Sequence, residues 1–134
     1  MRTDQPVQSS NRPSRRPTHE YVVVGGGIHG TCLANYLRAE GGYATDELGV
    51  GEPRARLLDS FETKARNCGM RTLRSGFLQH VDTEPFSLRS FAAARDREDE
   101  LVATSTLQRR PTLDLFLDHA RAVVDRRGLD ALHH

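Results

Sequence analysis

The pattern of apolar and polar positions predicts an α/β chain that begins with a strand, a helix and a second strand. Tyr21–Val24 is an uninterrupted apolar run, which is typical of a parallel strand buried on both faces. A helix from about Ile28 to Gly41-Gly42 follows, and a second strand over residues 48–52 ends at Pro53. The predicted apolar face of the first helix consists of Ile28, Leu33, Ala34, Tyr36 and Leu37.

The remainder of the chain predicts three further helices joined by irregular segments. The first spans residues 53–69 and the second starts after Pro85, whereas residues 70–81 and 101–110 lack a clear period. Thr112 is the predicted cap of the last helix, which Gly128 ends. The predicted inward positions of these helices are Leu57, Leu58, Phe61, Phe86, Leu88, Phe91, Ala92, Leu113, Phe116, Leu117, Ala120, Val123 and Val124.

Residues 1–18 differ in composition from all that follows. They contain three prolines, three serines and four arginines with almost nothing apolar, which predicts a disordered leader. Arg15-Arg16 is the start of a twin-arginine export signal in some proteins, but no hydrophobic signal core follows it here. We therefore expect a cytoplasmic protein with one domain over residues 19–132.

Composition excludes several function classes and leaves one open question. A net charge of +1 favours neither nucleic acid nor a membrane surface as a partner. The two cysteines, Cys32 and Cys68, lack metal-site spacing, so no metal is expected.

Lys64 is the single lysine among 19 basic residues. A phosphate-binding surface would explain this arginine bias, but coding bias is the simpler and favoured explanation.

The glycines after the first strand form the motif Gly25-x-Gly27-x-x-Gly30, which predicts a dinucleotide site. In such a site Gly25 allows the tight turn and Gly27 allows the backbone to approach a pyrophosphate. Gly30 allows the helix to pack closely on the strand. The helix N-terminus then directs free N–H groups and a positive dipole towards the phosphates. The predicted cofactor-binding residues are Gly25, Gly26, Gly27, Ile28, His29, Gly30, Glu52 and Pro53.

Glu52 strengthens the glycine motif because an acid is expected about twenty residues beyond it. It lies at the end of the second strand, where a carboxylate accepts hydrogen bonds from a ribose. Asp59 is the alternative acid, but it falls beyond Pro53 inside a helical stripe. A carboxylate at Glu52 also disfavours NADP, because it would repel a 2′-phosphate.

Four segments together resemble the FAD-binding start of the two-dinucleotide-domain, glutathione-reductase-like flavoproteins. They are VVVGGGIHGTCLANYLRAEGG…LGVGEP, KARNCGMRTLRS, EPFSLRSF and RPTLDLFLDHARAVVDRRGL. The last three are similar to FAD/NAD(P)-binding proteins related to flavin-dependent monooxygenases and lysine/ornithine N-hydroxylases. The resemblance implies FAD as the cofactor, with Glu52 on its ribose. It also implies that Met70, Leu73 and Ser75 pass near the flavin, and that the helix after Pro111 leads into another strand.

The resemblance covers only the opening part of such enzymes, which are much longer and bear a second glycine motif and an NAD(P)H domain. It therefore implies a partial Rossmann-like β-α-β unit followed by helices, an FAD-binding fragment that is not catalytically complete alone. NAD(P) would serve the full-length parent enzyme. Two alternatives remain: a piece of a split flavoenzyme that needs a partner chain to complete its sheet, and a non-functional truncated reading frame. A module that binds only NAD is less favoured.

Three histidines admit stronger interpretations than the pattern supports. His29 either contacts the pyrophosphate or is an ordinary first-turn residue, and both remain open. His80 near a flavin would serve as an acid or base, but a solvent-facing role is favoured. His119, with Asp118, is expected on the polar surface of the last helix. No catalytic residue is predicted.

Overall fold

The computed structural model describes residues 19–105 and 107–134, so the predicted leader over residues 1–18 lies outside the described part. The described residues form a mixed α/β fold with four α-helices and two small sheets. In chain order the elements are β1 (Tyr21–Val24), α1 (Ile28–Ala39), β2 (Leu48–Gly51), α2 (Asp59–Asn67), α3 (Ser87–Ala94), β3 (Leu101–Val102), β4 (Arg110–Pro111) and α4 (Leu113–Arg127). Short 3₁₀ turns occupy Glu98–Glu100 and Leu129–Leu132.

The predicted β-α-β unit is present. Strands β1 and β2 pair in parallel, with Tyr21 opposite Leu48 and Val24 opposite Gly51, and α1 connects them. Strand β2 is the more deeply buried of the two, because Leu48 and Val50 are inaccessible to solvent. A helical crossover of this length is what a parallel pair requires.

The final two residues of the sequence pair with the far edge of β2. Val50 and His133 form a parallel bridge, and His134 N donates to Val50 O over 2.9 Å. Glu52 N donates to His134 O over 3.0 Å. The parallel segments therefore run side by side in the order 133–134, β2, β1, with β2 in the middle.

Strand β1 lies at an open edge of the sheet, as expected of a sheet that lacks a partner strand, whereas the prediction that both of its faces are buried is wrong. Val23 is buried, whereas Tyr21 and Val22 are exposed and Val24 is 90% exposed. Among the described strands its one neighbour is β2. Tyr21 N and Gly25 N donate to β2 and to the residue before it, and alternate residues of a parallel strand bond to the same side. The N–H groups of Val22 and Val24 therefore point to the open edge.

Helix α1 begins at the predicted Ile28, and its predicted apolar face is buried in part: Ala34 lies in the main apolar cluster, and Ile28 and Leu37 pack against it. The buried positions are Thr31, Ala34 and Asn35, whereas Leu33 and Tyr36 are exposed, contrary to expectation. Two polar groups on this face have backbone partners: Asn35 Nδ2 donates to Val81 O over 2.9 Å, and Thr31 Oγ1 donates to Gly26 O over 3.3 Å. Asn35 Oδ1 is buried without a hydrogen-bond partner among the described residues.

The middle of the chain departs from prediction in three places. Helix α2 begins at Asp59 and not at residue 53, because Leu58 precedes it in a left-handed conformation with φ of 73°. Phe86, predicted to face inward, is exposed just before α3. The predicted loop over residues 101–110 contains β3 and the start of β4, a short antiparallel hairpin that places Leu101 opposite Pro111.

Helix α4 has more buried residues than any other described element and belongs to two apolar clusters. Its predicted inward residues all lie in the main cluster, with Val23, Leu48 and Val50 of the sheet. Leu115 lies in a second cluster with Leu88 and Ala92 of α3 and Leu101 of β3. In the described residues no helix is both long and apolar enough to cross a bilayer.

We expect Thr112→Ala to lower the free energy of unfolding by about 1 kcal/mol. Thr112 Oγ1 accepts a hydrogen bond from Leu115 N over 3.2 Å at the start of α4, as predicted, and donates to Glu100 Oε1 over 2.9 Å. Urea denaturation measures the loss. Thr112→Ser is the matched control because it retains the hydroxyl, so equal destabilisation by both variants would contradict the capping role.

Candidate functional site

The glycine turn, residues 25–30, lies where β1 passes into α1. Gly25 has φ of 98°, a left-handed conformation that L side chains rarely adopt. Its N–H donates to Gly51 O over 2.8 Å, which joins the turn to the end of β2. The predicted tight turn at Gly25 is therefore present in the backbone geometry.

Gly30 and Gly27 differ sharply in the space around them. A Cβ at Gly30 would lie 1.8 Å from the carbonyl oxygen of Gly25, so α1 packs directly on the turn. A Cβ at Gly27 would meet no described atom within 4 Å. Gly27 thus faces open space while Gly30 packs directly on the turn, which is the arrangement that a backbone approaching a ligand needs.

The first N–H groups of α1 have no side-chain acceptor, and they lie beside this open space. Gly27 is the N-cap residue and has no side chain, and the first turn contains no acid. The first intrahelical bond runs from Thr31 N to Gly27 O over 2.9 Å. The N–H groups of Ile28, His29 and Gly30 precede that bond, and an anion at this end would also meet the positive end of the helix dipole.

Glu52 lies against the glycine turn. A Cβ at Gly26 would be 2.8 Å from Glu52 Cγ, and Glu52 is only 7% exposed. Its Oε2 is buried and has no hydrogen-bond partner among the described residues. A buried carboxylate oxygen without a donor is unfavourable by itself, because its lost hydration is not replaced. The structure therefore places an unsatisfied acceptor beside the predicted phosphate turn.

Asp59 and Pro53 have other surroundings. The Asp59 carboxylate forms ion pairs with Arg56, at 3.6 Å, and with Arg121, at 3.4 Å, which ties α2 to α4. Pro53 is exposed beyond the end of β2. Of the two candidate acids, Glu52 is the one whose carboxylate retains an unsatisfied oxygen.

A cavity of about 490 Å³ adjoins the start of α1. Ile28, His29 and Cys32 line it from the helix, and Ser75 and His80 line it from the segment before α3. Two segments distant in sequence therefore share one cavity beside the glycine turn, although Glu52 is not among its lining residues. Burial raises the pKa of the Cys32 thiol, so this group remains protonated at neutral pH.

His80 is buried, so its predicted solvent-facing position is wrong. Its Nε2 donates to Pro85 O over 2.9 Å, and its Nδ1 accepts from Asp82 N over 3.2 Å. Since a carbonyl oxygen only accepts, the proton must be on Nε2. Both ring nitrogens are then engaged with backbone groups, which leaves neither nitrogen for proton transfer.

His119 is buried as well, contrary to its predicted surface position. Its Nε2 is 2.8 Å from Ser87 Oγ, and Ser87 Oγ donates to Asp82 Oδ2 over 2.5 Å. Burial lowers the pKa of His119 to about 4, so the ring is neutral at pH 7. One signal was available in the sequence: Leu115, His119 and Ala122 lie four and three residues apart on one stripe of α4.

The order of this cluster argues against nucleophilic chemistry. Ser87 lies between the acid and the histidine, so its hydroxyl proton faces a carboxylate and not an imidazole. Burial alone would raise the pKa of Asp82. Hydrogen bonds from Ser87, Arg126 and the Thr83 amide outweigh it and lower that pKa to about 2. So weak a base does not activate a hydroxyl.

Within the described residues no three His, Cys, Asp or Glu side chains lie together as metal ligands would. The sequence matched no protein-family model, and neither the curated proteins nor the solved structures gave a match. The resemblance to flavoproteins therefore stays a prediction from the sequence.

We expect Gly30→Ala to be strongly destabilising and Gly27→Ala to be tolerated. The added methyl at Gly30 would overlap the Gly25 carbonyl, an overpacking cost of roughly 1–3 kcal/mol or more. The same methyl at Gly27 would enter open space at φ of −75°. Thermal unfolding of the two variants measures the contrast, and similar melting temperatures would contradict this geometry.

We expect the stability contributed by Asp82 to vanish in acid. Its pKa is about 2 in the folded chain and 3.8 as a free group, so the contribution is complete above about pH 4 and is lost as pH falls towards 2. The free energy of unfolding of Asp82→Asn should approach that of the wild type by about 2 kcal/mol between pH 6 and pH 2. Urea titrations at several pH values measure this, and a constant difference would refute the linkage.

Proposed function

We propose that the chain binds an adenine dinucleotide at the glycine turn, and that FAD is the preferred ligand. In this proposal the parallel unit of β1, α1 and β2 is part of a Rossmann-like domain of an FAD/NAD(P)-dependent oxidoreductase or monooxygenase. The observation that supports it best is the pairing of an open backbone at Gly27 with an unsatisfied carboxylate at Glu52.

The residues present fit a diphosphate at the start of α1. An incoming phosphate would accept hydrogen bonds from the N–H groups of the first turn, which no acidic side chain compensates. The open space in front of Gly27 allows that approach, and Gly30 holds the helix end in place through its contact with Gly25. A side chain larger than hydrogen at Gly27 would occupy the same space.

The residues also fit a ribose beside Glu52. Ribose hydroxyl groups donate hydrogen bonds, and Glu52 Oε2 is an acceptor without a donor. The same carboxylate opposes a 2′-phosphate, so NADP is disfavoured on charge. FAD is preferred to NAD because of the sequence resemblance to the glutathione-reductase-like flavoproteins, and the cavity shared by His29 and Ser75 provides further space beside the turn.

Bound FAD would supply oxidation–reduction chemistry, whereas the protein groups described here bind and orient. His80 and Ser87 are engaged in internal hydrogen bonds, and no residue is assigned a catalytic role. The proposal is therefore of a binding unit and not of a complete enzyme.

A second candidate function is that of one chain of a split flavoenzyme. The observation that favours it is the open edge of β1, where Val22 and Val24 expose apolar side chains and direct N–H groups outward. A partner strand at this edge would accept hydrogen bonds from these N–H groups and extend the parallel sheet. Activity that arises only when a partner chain is mixed with this one would support this candidate.

We expect FAD to bind saturably to the wild-type chain and roughly tenfold more weakly to Glu52→Gln, because one charged acceptor is lost. Gly27→Val should abolish binding by filling the open space, while its circular dichroism spectrum stays that of the wild type. Flavin fluorescence titration measures the affinities, and NAD and NADP titrated in parallel rank the three ligands.

The matched control is Glu40→Gln, which removes an equal charge from an exposed position at the other end of α1. It should bind FAD like the wild type. Equal affinity of wild type, Gly27→Val and Glu52→Gln would overturn the proposed site, and the absence of any saturable dinucleotide binding would overturn the proposed function.

A further inference from the structure

A second cavity, of about 660 Å³, lies between α3 and α4, away from the glycine turn. Three arginines line it: Arg95 at the end of α3, and Arg126 and Arg127 in the last turn of α4. Ser87 and Ser90 of α3 add hydroxyl groups to its wall. We refer to this space as the arginine cavity.

The carboxylates that line the arginine cavity do not cancel its positive charge. Asp82 accepts from Arg126 Nη2 over 2.6 Å, and Arg127 Nη2 lies 3.8 Å from its other oxygen. The Asp82 side chain is only 2% exposed, so it is enclosed by its own donors. Glu84 is the one other acid on the wall, and it is exposed to solvent. The cavity wall therefore holds three guanidinium groups and two carboxylates, and one of the carboxylates, Asp82, is already paired with Arg126 and Arg127.

Arg95 and Arg127 each have N–H groups without an acceptor among the described residues. Arg95 stacks on Phe91, with Cζ 3.7 Å from the ring centre, and has no ion-pair partner among the described residues. Stacking fixes the plane of the guanidinium group and leaves its N–H edge unused. Arg127 Nε is buried, and within the described part of the chain it lacks a hydrogen-bond partner.

We propose that the arginine cavity binds the phosphate group of a small phosphate monoester. Planar guanidinium groups match phosphate oxygens in geometry and charge, and hydroxyl groups such as that of Ser90 donate to the same oxygens. The cavity is larger than a lone phosphate ion requires and falls in the size range of small-molecule sites, which favours a phosphate attached to an organic group. The site is independent of the proposed dinucleotide site, because the two share no lining residue.

The test is isothermal titration calorimetry of the full chain with glucose 6-phosphate and with inorganic phosphate, at constant ionic strength in chloride. We expect saturable binding of glucose 6-phosphate, tighter than that of inorganic phosphate. Arg95→Gln should weaken it roughly tenfold or more, because one charged donor group is lost. Arg89→Gln is the matched control: it removes the same charge from an exposed position of α3 that does not line the cavity, and it should bind like the wild type.

Two further variants keep the outcome interpretable. Ser90→Ala changes an exposed helical position and should reduce affinity a few-fold without unfolding the chain. Gly27→Val should retain glucose 6-phosphate binding even if it loses FAD, which separates this site from the glycine turn. Absence of saturable binding, equal losses in Arg95→Gln and Arg89→Gln, or tighter binding of inorganic phosphate than of the monoester would overturn the proposal.

Discussion

The contact between Gly30 and the Gly25 carbonyl is the constraint on which the arrangement of the molecule depends. Because no side chain separates the two backbones, α1 starts immediately beside the end of β1. The helix can then cover the sheet while its N-terminus remains at the strand ends, where Glu52 also lies. Any larger residue at Gly30 would push the helix away and separate these groups. The contact between Gly30 and Gly25 thus determines both how α1 packs on the sheet and how the groups of the candidate site are placed.

The sequence predicted those elements whose signals are local. Tyr21–Val24 and residues 48–51 could be recognised as strands because a helical segment of suitable length separates them. Helix α4 could be delimited because Thr112 and Gly128 provide capping signals within a few residues of its ends. Gly25 could be assigned to a tight turn by motif spacing alone. For the helix ends and the Gly25 turn, the physical cause lies within a few residues of the position concerned.

The features that could not be predicted depend on distant parts of the chain. The exposure of Val24 depends on which elements cover each face of β1, which no local pattern reports. His119 is buried because α3 and the β3–β4 hairpin pack against a second side of α4. Leu58 delays the start of α2 through a left-handed backbone that its residue type disfavours. The unsatisfied oxygen of Glu52 likewise depends on which groups surround it in three dimensions.

The position of α4 has a consequence for how the chain comes apart. Its residues belong to both apolar clusters, with Phe116 in the main one and Leu115 in the other. Loss of either cluster would expose one side of this shared helix. We therefore expect the two clusters to unfold together, with α4 as the element that couples the β3–β4 hairpin to the parallel strands.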